Sequence, residues 1–394
     1  MTRIAASWLI YRLTGSATLL GIAGFAGQIP AFFLAPLAGV WVDRWDRHRT
    51  LVVTQVLSML QSFALAALAL AGIINKWEII FLALAQGLIN AFDMPARQAF
   101  VVQMVEARED LGNAIALNSS MVHSARLVGP ALAGMLIAAA GEGYCFLIDG
   151  VSYLAVIASL LMMHIVRSPA VTKRRVWDEL REGWSYVTGS LPIRSILLLL
   201  GLVSLVGMPY TVLMPIFASR VLHGGPHTLG FLMAAAGGGA LTGAITLAAR
   251  KSVLGLDRRI VVADMLFGAS LIAFASSRVL WLSLLLLPIT GFGMMQQMAS
   301  SNTIIQTIVD DRKRGRVMAF YSMAFMGMMP FGSLLGGSLA THIGAPRTLM
   351  LGGALCVASS LWFAQRVGAI RAVTGPIYVR LGIFQETDVT AREI

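Results

Sequence analysis

Residues 142–166 read EGYCFLIDGVSYLAVIASLLMMHIV, residues 167–194 read RSPAVTKRRVWDELREGWSYVTGSLPIR, and residues 195–220 read SILLLLGLVSLVGMPYTVLMPIFASR. The outer two stretches are apolar and long enough to cross a bilayer, which takes about 20 mainly apolar residues as a helix. The stretch between them is basic. Within it Val176, Leu180, Trp184 and Val187 recur at helical spacing, with Asp178, Glu179, Arg181 and Glu182 on other faces. That pattern predicts an amphipathic helix lying on a membrane surface. It falls near the middle of the chain, so two membrane halves joined by a surface linker are the natural division.

Further runs of the same kind occupy approximately 16–41, 48–74, 77–101, 111–139, 226–249, 259–277, 279–304, 316–342 and 346–366. With 142–166 and 195–220 they make eleven. Met1 to Leu13, MTRIAASWLIYRL, is apolar and helical in pattern but spans only half a crossing. It is read as the second half of a first, twelfth helix, incomplete in this chain. The expected organisation is an N-terminal half over 1–166, a linker over 167–194, a C-terminal half over 195–366 and a cytoplasmic tail over 367–394. Composition agrees: of 394 residues, 57% are hydrophobic and 12% charged. Soluble domains carry about 25% charged residues, so this chain has too little polar surface for a water-soluble enzyme or binding module.

Net charge is +11. In a soluble protein that would point to nucleic acid, but here the basic residues sit in short loops and record orientation. If the loop after residue 41 is cytoplasmic, that side collects 22 Lys and Arg against five on the other, namely Arg12, Lys76, Arg220, Arg278 and Arg347. Both termini are then expected in the cytoplasm. Cys145 and Cys356 lie in apolar runs and read as core residues. His223 and His227 flank Gly224, Gly225 and Pro226; the glycines and proline argue against the helix that would align them on a metal, and none is expected.

The halves look repeated. A shift of 203 residues superposes Gln103 on Gln306, Ala116 on Ala319, Ser119 on Ser322, Gly129 on Gly332 and Gly134 on Gly337. Parallel six-helix repeats place a substrate path between two rocking halves.

Residues 39–49 read GVWVDRWDRHR. This loop resembles the G-x-x-x-D-R-x-G-R-R signature of the major facilitator superfamily: Gly39, Asp43, Arg44, Arg47 and Arg49 fit, and Asp46 stands where the pattern has glycine. Physically, Gly39 permits close helix approach, and Asp43 can sit against a helix N-terminus. The resemblance implies a gating loop that latches the halves on the cytoplasmic side. Gly129-Pro130-Ala131-Leu132-Ala133-Gly134 is similar to the G-P-x-x-G-G element of the superfamily's antiporters, with Ala133 for the first glycine of the final pair. Small-residue packing alone also accounts for Gly129, Pro130 and Gly134.

The runs SWLIYRLTGSATLLGIAGFAGQIP, NAFDMPARQAFVVQMV and NAIALNSSMVHSARLVGPALAG resemble the enterobactin-exporter-like and drug:proton antiporter-3 group, over nearly the whole chain. The resemblance implies an all-α polytopic protein of two parallel six-helix halves in the bacterial inner membrane. It implies a monomeric exporter of drugs, macrolides or siderophore-like amphiphiles, without cofactor, energised by proton entry and with no nucleic-acid partner. A narrow siderophore exporter is an alternative, as is a non-transporting sensor on the same fold. The superfamily's fourth-helix arginine would fall on Ala83, ahead of Gln86-Gly87, and is absent, which puts its usual coupling scheme in doubt here.

A charge in a helix centre costs about 2.5–3.5 kcal/mol on insertion scales, so each demands a reason. Asp93 and Arg97 stand four apart on the fourth helix with Pro95 between them. They suit a titrating gate or a self-neutralised pair that holds a bend. His123 and Arg126 share a face of the fifth helix. Arg126 needs an acid, a carbonyl or water, with Asp149 or Asp93 as partner, and His123 suits proton transfer or core hydrogen bonding. Asp264 lies just inside the ninth helix, placed for snorkelling or capping rather than coupling. In the C-terminal half Met294, Met298, Gln297, Asn302, Met326 and Met329 offer an adaptable wall for varied amphiphiles, or plain packing.

Overall fold

A computed structural model describes residues 1–104, 111–163, 176–250, 252–381 and 383. Side chains along its helices are placed except at 35–37, 39, 40, 42–44, 99, 101–103, 111–120, 122–124, 126, 127, 176–180, 311 and 312. The described residues form helices and turns only. In order these are α1 (Thr2–Thr14), α2 (Ala17–Ala26), α3 (Ile29–Arg44), α4 (Arg47–Leu70), α5 (Lys76–Gln103), α6 (Leu111–Ala140) and α7 (Glu142–Met162). The short α8 (Val176–Gly189) follows, then α9 (Leu191–Leu202), α10 (Tyr210–Ile216), α11 (Pro226–Ala248), α12 (Leu256–Ser276) and α13 (Leu280–Ile308). Last come α14 (Asp311–Met326), α15 (Met328–Ile343), α16 (Ala345–Ala364) and α17 (Val367–Arg380).

Ten helical segments are long and apolar enough to cross a membrane, and α6, with 30 residues, supplies the eleventh expected run. The helix ends have local causes. Asn75 caps α5 and Glu78 returns its side chain to the Asn75 backbone, a capping box. Asp46 accepts from the Arg49 amide to start α4. Gly15 closes α1 in the left-handed region at φ 61°.

The uniform crossings expected from sequence are broken in three places. The first run divides at Gly27–Gln28 into α2 and α3, and the run after residue 313 divides at Gly327 into α14 and α15. In the seventh crossing, α9 and α10 are separated and followed by π segments at Val203–Gly207 and Phe217–Val221. Pro209 has no N–H to give and Pro215 crowds the preceding turn, so the backbone widens around them.

The first group of helices packs α4 on α7 and α5 on α3 and α4; the second packs α13 on α11 and α12, and α12 on α16. The groups meet where α2 crosses α15 and where α6 crosses α11. Both crossings are made by paired glycines. A Cβ on Gly21 would lie 3.0 Å from Gly337 Cα, and one on Gly134 2.7 Å from Gly230 Cα. Gly134 and Gly337 are equivalent under the 203-residue repeat, so the two crossings are related by it. Both stand toward the end of the bundle away from the basic loops, where Thr18 and Thr341 also meet at 2.7 Å and Arg220 donates to the Gly15 carbonyl. Nearer mid-depth, Phe331 packs edge-on against Phe25 and Phe32 at 6.1 and 5.6 Å between centroids.

At the basic end, α8 lies against α14. Arg316 pairs with Glu182 at 2.6 Å, Lys313 stands 4.4 Å over the Tyr186 ring, and Trp184 packs on Phe320. The linker is thereby tied to the second group. There α17 docks through buried Ile370 and Thr374 and an Arg371–Asp257 ion pair. Burial, then Asp257, pushes the Tyr378 phenol up to about 12.

Gly134→Val should force the α6–α11 crossing apart, because the added atoms meet backbone rather than a side chain that can turn away. Spin labels at Ile73 and Val279, both exposed at the far end, should move apart by several ångströms in dipolar spectroscopy. An unchanged distance would show that the crossing does not hold that end closed.

Candidate transport site

The centre of the first group is polar, and α4 supplies most of it. Thr50, Thr54, Gln55, Ser58, Gln61 and Ser62 are all buried, facing α5 and α7. Asp93 of α5 is the focus. Its Oδ1 accepts from Thr54 Oγ1 at 2.8 Å and Gln55 Nε2 at 2.7 Å, and its Oδ2 pairs with Arg97 at 2.8 Å. Three donors thus hold the carboxylate, as a charge away from water requires. About two turns toward the far end, Gln86 donates to Ser58 at 3.2 Å and to Asn90 at 3.1 Å.

Arg97 is different: its side chain is 58% exposed while Asp93 is buried. Trp77, Phe81, Leu84 and Leu88 form an exposed apolar stripe on α5. With about 3.6 residues per turn, Asp93 and Arg97 lie on the opposite side of the helix from that stripe. The stripe suits lipid, so Arg97 opens onto space inside the bundle. The sequence-expected i,i+4 pair therefore forms, and one member reaches solvent.

The other expected residues fall in separate places. Asp149 on α7 accepts from Thr2 at 2.6 Å and from Ser62 at 3.3 Å. Its described partners are these hydroxyls and the Met1 amino group at 3.7 Å. Asp264 is fully buried and bonded to Ser359 of α16 at 3.2 Å. It neither snorkels nor caps, because α12 and α16 approach so closely that a Cβ on Gly268 would lie 2.6 Å from the Gly353 carbonyl. Ser359 donates to Asp264 and, at 2.8 Å, to the Cys356 carbonyl of its own helix.

Gly39, Asp43, Arg44, His123 and Arg126 fall where side chains lie outside the described residues, as do all residues of the basic linker stretch 167–180. Arg49 stands 3.9 Å from Asp46 at the surface, and Arg47 lies in the first turn of α4. Gly129 and Pro130 sit on α6 just before the Gly134 crossing. His223 occupies a positive-φ turn, while His227 on α11 packs against Phe231.

The second group presents an uncharged wall. Met294, Met298 and Met329 are partly buried against the core, Met326 is exposed, and Asn302 accepts from Gln306 at 2.5 Å. Gln297 is buried on α13 with its Nε2 unbonded among the described residues. Under the 203-residue repeat Asp93 and Arg97 correspond to Gln296 and Ser300. The charge pair of one half is replaced in the other by neutral groups, with Gln296 bonded to Gly243 O and Thr246. The aromatic junction of Phe25, Phe32 and Phe331 was not expected from sequence, since three separated phenylalanines carry no periodic signal.

A duplicated helical bundle with a polar centre in one half and a neutral wall in the other is a transporter architecture. The profile of the transmembrane secretion effector family matches residues 1–373. The chain belongs to that family, a branch of the major facilitator superfamily. The staphyloferrin A transporter of Staphylococcus aureus is 25% identical over 371 residues, covering 92% of each chain. The multidrug efflux pump Tap of Mycolicibacterium fortuitum is 26% identical, covering 89% of this chain and 87% of that one. Macrolide efflux protein A of Streptococcus pyogenes is 23% identical over 87% of this chain and 86% of its own. Among solved structures, the nucleoside transporter NupG superposes with a TM-score of 0.71 at 12% identity, covering 92% of this chain and 94% of that one. A bacterial Spinster homologue, inward-facing and occupied, superposes at 0.67 and 15% identity, covering 96% and 93%. These last two likenesses are of fold.

For this family member, the hydrogen bonds from Thr54 and Gln55 to a charged acceptor are each worth about 1.5–3 kcal/mol. Thr54→Val with Gln55→Leu should lower the thermal midpoint of the lipid-embedded protein by several degrees. No change would show that Arg97 alone satisfies Asp93.

Proposed function

We propose that this protein expels an amphiphilic organic solute across the bacterial inner membrane in exchange for entering protons. The reading rests on one observation above the rest: Arg97, reaching interior water, is held by a buried Asp93 opposite an uncharged, methionine-rich half. A carboxylate in that position can exchange its cation. When Asp93 takes a proton it loses its hold on Arg97, and the local field facing the cargo changes. Antiport needs protonation to lower cargo affinity at the same site, and this pair lets one proton do so.

The glycine crossings support alternating access. They close the end away from the basic loops, which we place in the periplasm, with the basic end and both termini in the cytoplasm. The state is then inward-facing, and export requires the crossings to part while the basic loops of residues 39–49 close. Met294, Met298, Met326 and Met329 accommodate varied apolar bodies without fixed geometry. The staphyloferrin A transporter among the relatives favours, as a second reading, a narrow carboxylate siderophore cargo. The transporting unit in either case is a monomer.

Inside-out vesicles carrying the protein should lose their pH gradient when ethidium, erythromycin or staphyloferrin A is added, and which probe acts identifies the cargo class. Asp93→Asn should flatten the pH dependence of that response, and Arg44→Ala should reduce it severalfold with insertion intact. A pH profile unmoved by Asp93→Asn would remove Asp93 from coupling. A correctly inserted protein that binds a probe without turnover would instead be a sensor.

A further inference from the structure

Resting on the proton-exchange reading, we infer that α4 carries the proton between the two acids of the first half. Thr54, Ser58 and Ser62 stand at successive i,i+4 positions and are buried, at 4%, 3% and 1% exposure. Both ends of this hydroxyl row finish on an aspartate. Thr54 Oγ1 reaches Asp93 Oδ1 at 2.8 Å, and Ser62 Oγ reaches Asp149 Oδ2 at 3.3 Å. Between them Ser58 receives Gln86 at 3.2 Å and interacts with the Tyr153 hydroxyl, which also feels Asp149, Asp93 and Arg97.

A row of serines in a membrane helix ordinarily bonds its own preceding carbonyls. Thr50 and Thr54 do so, to Asp46 O and Leu51 O, whereas the described bonds of Ser58 and Ser62 go to other helices. Four residues rise about 6 Å along a helix, a gap that one bridging water closes into two hydrogen-bond hops. The distance from Ser62 to Thr54 is about 12 Å. Asp149 lies toward the periplasmic end of α7, Asp93 toward the cytoplasmic end of α5.

The second half lacks the device. Its third helix, α12, has one buried hydroxyl, Ser270, and Gln296 and Ser300 replace Asp93 and Arg97. In each hop one O–H bond breaks as the next forms: Asp149 yields its proton to Ser62, each hydroxyl passes its own proton onward through water, and Asp93 ends protonated with Arg97 released. The groups facing Asp149 are Thr2, the Met1 amino group, Ser62, Tyr153 and Cys145. Those facing Asp93 are Thr54, Gln55, Arg97 and Tyr153.

The test is a pH jump on the periplasmic side of proteoliposomes holding the full chain, followed by time-resolved infrared absorption of the Asp93 carboxylic acid. The band is assigned by its loss in Asp93→Asn. Ser58→Ala and Ser62→Ala should each slow its appearance at least tenfold with the final amplitude unchanged, and Ser58→Thr and Ser62→Thr, which keep a hydroxyl, should restore the rate. Tyr153→Phe should slow it less. Equal rates in wild type and both alanine variants would overturn the route. So would rates that fall equally in the threonine variants, which would mark the row as packing. Ethidium efflux driven by the pH gradient is measured on the same liposomes. Efflux present with unchanged Asp93 rates rejects the route alone; a slowed Asp93 signal with no gradient-driven efflux keeps the route and rejects the exchange reading.

Discussion

A hydrogen-bonding group inside hydrocarbon must find its partner within the protein, and the organisation of this chain follows from that constraint. Helices satisfy the backbone, so only side chains remain to be matched. The first half matches them with one another, α4 offering hydroxyls and amides to acids on α5 and α7. The second half carries Gln296 and Ser300 where its counterpart has Asp93 and Arg97, and holds the buried Asp264 against Ser359 of α16.

Motion depends on the same economy of interactions. The two halves touch through glycine backbones, threonine hydroxyls, a small aromatic cluster and Arg220 on Gly15 and Tyr11, with no buried ion pair among the described contacts between them. Lipid supplies no hydrophobic drive for helices to associate, so close van der Waals approach does the holding. Such contacts are short-ranged and separate with little desolvation. The ion pairs lie elsewhere: Arg12 with Glu142 within the first half, Arg371 with Asp257 within the second, and Glu182 with Arg316 binding the linker to α14. They fix each half as a body and leave the seam between them light.

The breaks in the helices fit this picture. Gly27 lies where α2 and α3 meet α5, with a Cβ on Gly87 2.7 Å from the Gly27 carbonyl. Gly327 allows the Phe32 ring within 2.6 Å of where its own Cβ would stand. The first break sits inside its own half against α5, and the second sits beside the seam against Phe32.

Amino-acid order alone determined the class and much of the plan. Apolar runs about 20 residues long have the length of crossings, and a period of 3.6 places Asp93 beside Arg97 and makes α8 amphipathic. These are local properties, set by residues within a turn or two of each other. Tertiary structure decided everything that needed two helices. It buried Asp264 against Ser359 where its position suggested a surface role, and it gave Asp149 the hydroxyls of Thr2 and Ser62. It also turned the spacing of Thr54, Ser58 and Ser62, visible in the sequence but meaningless alone, into a row with an acid at each end. Gly134 and Gly337 were legible as repeated glycines; only the packing of α6 on α11 and α2 on α15 showed that they close the molecule. Contacts between distant segments depend on helix rotation and tilt, which side-chain periodicity within one segment does not specify.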